Sequence, residues 1–434
     1  MAGKAKQVYW AVRSALTRTP RDELVAEWEQ KTAGRELPPD HFETAVYFAD
    51  SVVNLYQLRQ WYDPLKAWNE HSPCVLLCRS INAALALLPE SPIPVVYVPR
   101  VDDVEQFVSE QRLRMALYVN QNTRNFQMMR TNTMLHVFIS HGESDKSYMI
   151  SGQMKAYDFA FIAGQAAANR LSKALLNYDV DKRAKRIGRP QLDFQAHEVP
   201  DLPDDDRIVV FYAPTWEGDR GSMTYGSVQS HGIAMVQALV NSGRHRIIVR
   251  PHPRTGVASD EQGAAVERIA GIVARANAAD PGAQHVFDQT PTFDWQLEVS
   301  DIAITDVSAA VNDWLATGKP LVVTAPAGQA TLPDEGYLAT LDMLPADRAG
   351  DIVAVLDDVI ADDAGARERM RWVEYYFGDT TPGVATQKWL EACRDVVDTC
   401  KRQLAALGPQ PPHDVTGARQ ETTYDVLQES ESDS

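Results

Sequence analysis

Cysteine is scarce in this sequence. There are four in 434 residues (Cys74, Cys78, Cys393 and Cys400), and neither neighbouring pair has the two-residue spacing of a zinc or thiol-redox motif. A disulfide-stapled scaffold is therefore excluded, and reduced thiols in a cytoplasmic chain are expected. Long apolar runs are also missing. Stretches such as Ala83–Leu88 and Ile208–Tyr212 fall far short of the roughly 20 residues a membrane-spanning helix needs. No signal-peptide core follows Met1–Lys4. Positive charge is in deficit: 42 Lys and Arg against 59 Asp and Glu give a net charge of −17. A field of that sign repels nucleic acid, so no nucleic-acid partner is expected, and an anionic substrate would need a local cationic site. No tandem repeat of short period is present. No carboxylates are spaced as a metal site, so neither a protein-held metal nor another cofactor is called for.

What is present is ordinary globular composition, 44% hydrophobic and 23% charged, in a chain long enough for two or three domains. Residues 1–70 read as an N-terminal helical segment. Gln7–Leu16 is amphipathic, with Trp10 beside Lys and Arg. Phe42–Trp68 carries Val46 and Val53, seven apart, and then Leu55, Leu58, Trp61 and Leu65 at intervals of three and four, which reads as an amphipathic helix. From His71 short apolar runs alternate with helix-like stretches. Cys74–Cys78, Pro94–Val98, Met115–Val119, His136–Ser140 and Phe159–Ala163 are predicted strands of a first Rossmann-like domain, 71–196. His197–Arg207, rich in Pro and Asp, reads as a linker. A second Rossmann-like domain, 207–407, follows. Its strands are predicted at Ile208–Tyr212, Arg246–Val249, Val286–Phe287, Ile302–Thr305 and Leu321–Thr324. Its helices fall near Ile233–Asn241, Asp260–Ala279, Ala309–Thr317 and Ile352–Ile360. Met370–Leu407 reads as a terminal helix able to pack back on the first domain, and 408–434 as a disordered acidic tail. The fold class is α/β, with two Rossmann-type domains and a cleft between them.

Four motifs sit at carboxyl ends of predicted strands, where open α/β sheets bind ligands. After Ile208–Tyr212 comes Ala213-Pro214-Thr215-Trp216, a turn with a hydroxyl and a large aromatic. After Arg246–Val249 comes Arg250-Pro251-His252-Pro253, in which the prolines fix the backbone on either side of His252. Arg250 suits a bidentate phosphate contact, and His252 suits proton transfer or charge stabilisation. After Ile302–Thr305 come Asp306, Val307 and Ser308. Ser308 is expected to cap a helix opening at Ala309, whose N–H groups would favour an anion. Asp306 is expected to accept from ligand hydroxyls or to orient a donor. After His136–Ser140 comes His141-Gly142, where the glycine permits close approach to the backbone. Lys182–Arg189 concentrates five basic residues in eight and is a candidate contact for an anionic polymer or membrane surface.

In order and spacing these residues resemble the CDP-glycerol glycerophosphotransferases, the teichoic-acid primases and polymerases. The likeness is carried by Ala213–Trp216, Arg250–Pro253 and Ser300–Ser308, by the first-domain His141-Gly142, and by Gly188-Arg189-Pro190-Gln191-Leu192-Asp193 before the second domain. It is good over about 130–325. Val307 stands where the family has Tyr, Ala309 where a second Ser is usual, and Pro190-Gln191 where Pro-Arg is usual. The resemblance implies a GT-B fold. It implies transfer of a polyol phosphate from a CDP-polyol donor to a hydroxyl of an anionic polymer or lipid-linked acceptor, with release of CMP. By analogy His141 is the base and His252, with Arg250, supports the diphosphate, although the two histidines can exchange roles. Gly142, Thr215, Trp216, Thr305, Asp306, Ser308 and Ala309 would line the substrate. Peripheral contact with the inner membrane face fits such an acceptor.

Two other classes stay open. One is a GT-B glycosyltransferase or sugar-nucleotide epimerase, for which Glu335 is the sole late acidic candidate for a ribose contact. The other is a non-catalytic nucleotide-binding member of the same family.

Overall fold

The computed structural model describes residues 21–143, 151–196, 199–218, 224–290, 293–328, 330–332 and 334–408. The expected helix at Gln7–Leu16 and the expected disorder of the tail beyond Gly408 lie outside these residues.

Two wholly parallel sheets carry the fold, and each has the strand order of a doubly wound sheet. The first has seven strands: β1 (Thr44–Phe48), β2 (Cys74–Cys78), β3 (Val95–Tyr97), β4 (Met115–Tyr118), β5 (Leu135–Phe138), β6 (Phe159–Ile162) and β7 (Ala184–Arg186), in the order β3-β2-β1-β4-β5-β6-β7. The second has five: β8 (Ile208–Ala213), β9 (His245–Val249), β10 (Val286–Phe287), β11 (Ile302–Thr305) and β12 (Leu321–Val323), in the order β10-β9-β8-β11-β12. The strand order reverses between β1 and β4 in one sheet and between β8 and β11 in the other. Each reversal opens a crevice at the carboxyl ends of the strands.

β1 corrects the expectation of an N-terminal segment helical through Phe42–Trp68. Thr44–Phe48 (TAVYF) is the central strand of the first sheet, and all five residues are buried. Helices covering both faces remove the alternation that marks a half-exposed strand, so its apolar run is open to a helical reading as well. The spacing by threes and fours is meaningful only later. Leu55, Leu58, Trp61 and Leu65 are buried by the short helices Tyr56–Arg59 and Tyr62–Asn69, whereas Val53 is 66% exposed. β7 was also not anticipated; it is a polar edge strand of three residues, Ala-Lys-Arg.

The terminal helical region is two helices, Asp363–Phe377 and Val384–Leu407, separated by a turn in which Gly378 and Gly383 have positive φ. The second helix packs on the first sheet. Trp389 is fully buried, stacks near Trp61 at 5.0 Å and donates its indole N–H to the Pro64 carbonyl at 2.9 Å. Val373, Tyr376 and Phe377 of the first helix share a core with Ala163 and Ala166 of the first sheet's layer and with Trp314 and Val311 of the second. The layers of the two sheets are thereby tied together through one shared core. No helix among the described residues is long and apolar enough to cross a membrane.

Candidate active site

The four motifs expected at strand ends each follow the carboxyl end of a strand, whereas Lys182–Arg189 contains the edge strand β7. In the second sheet Thr215 and Trp216 follow β8, His252 follows β9 and Ser308 follows β11, so the crevice between β8 and β11 is ringed by them. Asp306 ties that rim together. One carboxylate oxygen accepts from the backbone N–H of Thr215 (2.8 Å) and of Ser227 (3.0 Å); the other accepts from the Thr324 hydroxyl (2.6 Å). Asp306 is fully buried, and burial outweighs these bonds, raising its carboxyl to about 6. Its oxygens are committed internally: it does not meet ligand hydroxyls but braces the rim, holding the N–H groups of Thr215 and Ser227.

Ser308 sits at the N-cap with an extended backbone (φ −155°, ψ 177°), yet its hydroxyl caps nothing and has no partner. The Thr305 hydroxyl is buried and likewise without a partner. Ala309 is exposed. Val307 points into the core, 2% exposed among Phe211, Trp314 and Leu315.

His252 is held by its own loop. The backbone N–H of Arg254 donates to its Nδ1 at 3.1 Å, which leaves the ring proton on Nε2. Trp216 stacks near the imidazole, with centroids 6.4 Å apart and planes 26° from parallel, and the Arg254 guanidinium lies 3.8 Å from the Trp216 ring centre. Glu217 anchors the far side of this loop. Its buried carboxylate accepts backbone N–H groups from Gly256 (3.1 Å), Ala258 (2.9 Å) and Ser259 (3.1 Å). Nothing in the sequence marked Glu217 apart from its position directly after Trp216. Arg250 departs from expectation. Its guanidinium is paired with Asp288 and bonded to the Thr290 hydroxyl (3.2 Å) and carbonyl (2.9 Å). It holds the 288–290 loop, and its charge is already matched by Asp288.

In the first sheet His141 follows β5 and leans on the end of β4. Its Nδ1 lies 3.2 Å from the Val119 carbonyl. A carbonyl only accepts, so Nδ1 carries the proton and Nε2 the lone pair. Tyr56 meets the ring edge-to-face at 6.1 Å. Burial, the largest effect, pushes the imidazole below the usual histidine value of 6.5; Arg189 adds to this, and the Val119 bond and the Asp50 charge oppose it. Ser140 adopts φ +59°, rare for a non-glycine residue. It is fixed there by Trp61, whose indole N–H donates to its carbonyl (2.6 Å), and by its own hydroxyl bonded to the Gly142 carbonyl (3.0 Å). A side chain at Gly142 would meet open space. Asp50 and Asn120, at the ends of β1 and β4, are bonded to each other at 3.1 Å beside this loop. Asp50 is hidden from the sequence reading because it follows the strand read as helix, and nothing in the sequence marks Asn120 beyond its place after a predicted strand.

The two halves meet across the cleft. The Asn312 amide donates to the Glu143 carbonyl at 3.1 Å, joining the His141-Gly142 loop to the helix Ala309–Leu315 that Ser308 opens. Arg189 pairs with Asp313 at 2.5 Å and bonds Gln60 at 3.2 Å. Thus the His141 loop is joined directly to the Ser308 side. No described cavity is lined by His141 and His252 together.

The basic run Lys182–Arg189 is largely spent inside the molecule. Arg183 bonds carbonyls of Lys155, Tyr157 and Asp158; Lys185 pairs with Asp395; Arg189 pairs with Asp313. Glu335 is exposed and paired with Lys173, far from the form of a buried ribose contact.

A model of the family described as CDP-Glycerol:Poly(glycerophosphate) glycerophosphotransferase matches residues 103–388. No curated protein sequence matches the chain. Among solved structures, the chain is similar to a substituted form of the wall teichoic acid polymerase TagF, at 12% identity and TM-score 0.56, covering 93% of this chain and 99% of that one. It is also similar to a putative UDP-N-acetylglucosamine 2-epimerase from Listeria monocytogenes, at 12% identity and TM-score 0.55, covering 83% and 97%. The S. aureus MnaA–UDP co-structure matches at 12% identity and TM-score 0.53, covering 85% and 99%. At these identities the likeness is one of fold, the two-sheet GT-B-like architecture described above.

Proposed function

Because the chain belongs to the CDP-glycerol:poly(glycerophosphate) glycerophosphotransferase family, we propose that it moves glycerol phosphate from CDP-glycerol to a terminal hydroxyl of a poly(glycerophosphate)-type acceptor, using His141 as base and His252 as proton-bearing donor to the diphosphate.

The observation that carries the assignment of roles is the opposite tautomers of the two rings. His141 gives its Nδ1 proton to Val119 and keeps the Nε2 lone pair; His252 receives an N–H at Nδ1 and keeps its proton on Nε2. Burial favours the neutral, proton-accepting form of His141. The acceptor oxygen attacks the phosphorus that bears glycerol. Its proton passes to His141 Nε2, the bond from that phosphorus to the CMP oxygen breaks, and CMP leaves with the electron pair. His252 Nε2–H stabilises the charge growing on the diphosphate oxygens. The unpartnered hydroxyls of Ser308 and Thr305 are suited to the same phosphates. Trp216 shapes the wall beside His252, Asp306 braces the rim through Thr215, Gly142 leaves room for the acceptor, and exposed Ala309 borders the entry.

The domain division at the 197–207 linker, one sheet for the acceptor and one for the nucleotide, belongs to this reading. So does a place at the cytoplasmic membrane face, where a lipid-linked acceptor would be reached. The buried cysteines, none in a disulfide, and the exposed apolar residues Val52, Val53 and Tyr56, the last against the His141 ring, support it.

The test is CMP release by purified chain from CDP-glycerol, with and without a glycerol-phosphate-terminated acceptor, against UDP release from UDP-sugars. Acceptor-dependent CMP supports the reading. UDP release alone moves the chain to the glycosyltransferase or epimerase class, and neither product identifies a non-catalytic member.

A further inference from the structure

We infer that Gln191 reads the acceptor's second hydroxyl: the small cavity beside His141-Gly142 takes the neutral diol end of a polyol, and the Gln191 carboxamide is its recognition group. The inference rests on the function proposed above and names the part of the acceptor that the site holds.

The cavity measures about 70 Å³, several times the roughly 10–15 Å³ one water needs, so the hydroxymethyl end of a small polyol fits. It is lined on its polar side by Ser140, Gly142, Glu143, Arg170, Arg189 and Gln191. Ser140 and Gly142 flank His141 in the chain, so the cavity borders the loop that carries the base, while the His141 ring itself lies against the Val119 carbonyl and not in the cavity wall.

Gln191 is the anomaly. Both polar atoms of its amide are shut off from solvent, and neither has a hydrogen-bond partner; Arg189 Nε is in the same condition. A buried, unsatisfied amide is destabilising, so such a group is tolerated where a ligand completes it. A carboxamide offers one acceptor and two N–H donors. A hydroxyl needs both kinds of partner, giving its proton to Oε1 while taking one from Nε2 or from Arg189 Nε–H.

Charge excludes a phosphate as occupant. The two guanidinium groups at the cavity are already neutralised, Arg170 by Glu143 and Arg189 by Asp313. The polar side of the cavity is close to neutral and its other walls are apolar, Phe138, Ile139, Phe161 and Leu171 among them, as suits the neutral end of a polyol and not a phosphodiester. A glycerol esterified at one end carries two neighbouring free hydroxyls. One would attack while the other is held by Gln191, fixing which oxygen faces His141.

The test compares unsubstituted chain with Gln191→Leu on two acceptors: a short glycerol-phosphate-terminated chain, and the same chain ending in a propyl phosphate with a single hydroxyl. We expect the unsubstituted chain to prefer the diol by about tenfold or more in kcat/KM, and Gln191→Leu to abolish that preference by raising KM for the diol acceptor. The KM for CDP-glycerol should stay within about twofold. Thermal unfolding separates this from a structural role: removing an unsatisfied buried amide should leave Tm unchanged or raise it. Undiminished diol preference in Gln191→Leu, or a lowered Tm with both acceptors impaired alike, overturns the inference and leaves the transferase reading standing. Absence of CMP release from the unsubstituted chain sinks that reading instead, and the inference with it.

Discussion

His141 donates its Nδ1 proton to the Val119 carbonyl at 3.2 Å, and this bond decides which nitrogen can act as a base. Val119 directly follows β4 at the switch point of the first sheet, so the imidazole is oriented by the main chain there and not by a mobile side chain.

The acid limb of kcat/KM follows from that burial. The base works only when neutral, and its value is held below 6.5. Activity should therefore persist to lower pH than an exposed histidine allows, with the limb falling below 6.5. A pH–rate profile with the limb above the ordinary histidine value would contradict the assignment.

Glu217 contacts three backbone amides of the loop that carries His252. Glu217→Ala should loosen that loop and misplace the imidazole. We expect kcat/KM for CDP-glycerol to fall by roughly 100-fold. Glu217→Gln keeps one acceptor oxygen and should recover part of the loss. Steady-state kinetics on the two variants check the ranking.

The cleft is latched by Arg189 and Asp313, whose side chains are 10% and 14% exposed. Burial raises the Asp313 carboxyl although Arg189 pulls it down. Arg189→Leu leaves a buried carboxylate unpaired and should cost about 3 kcal/mol in denaturant unfolding. Adding Asp313→Leu should recover most of that, because the unmatched charge goes with it.

Acid should destabilise the chain. Burial lowers His136, His141, His231, His245 and His285 relative to 6.5. The unfolded chain binds more protons at these sites, so their stability is full above 6.5 and is lost as pH falls toward the folded values. Asp306, raised from 3.8 to about 6, works oppositely: it favours the folded state as pH falls below about 6. Five imidazoles outweigh the raised Asp306 and Asp313 in the upper part of the window. Tm should drop between about pH 7 and about pH 5.5.

The strands of the second sheet were legible almost residue for residue, because buried parallel strands are short continuous apolar runs bounded by turns. The motif ends were legible for the same reason: Thr215, His252 and Ser308 each stand where an apolar run stops. β1 was hidden because it is covered on both faces, and Asp50 was lost with it. The partners of the motif residues could not be read at all. That Asp306 spends its oxygens on Thr215, Ser227 and Thr324, and Arg250 its guanidinium on Asp288, depends on contacts among residues far apart in sequence. Gln191 was visible only as a departure from a pattern; its unsatisfied amide is a fact of packing.

The division of labour between the two imidazoles is tested most directly by single-turnover CMP release from His141→Ala and His252→Ala, alongside CDP-glycerol affinity. The account predicts that His141→Ala loses about 10²–10⁴ in acceptor-dependent rate while binding CDP-glycerol normally, and that His252→Ala weakens donor binding as well as rate. An undiminished rate in His141→Ala would contradict it.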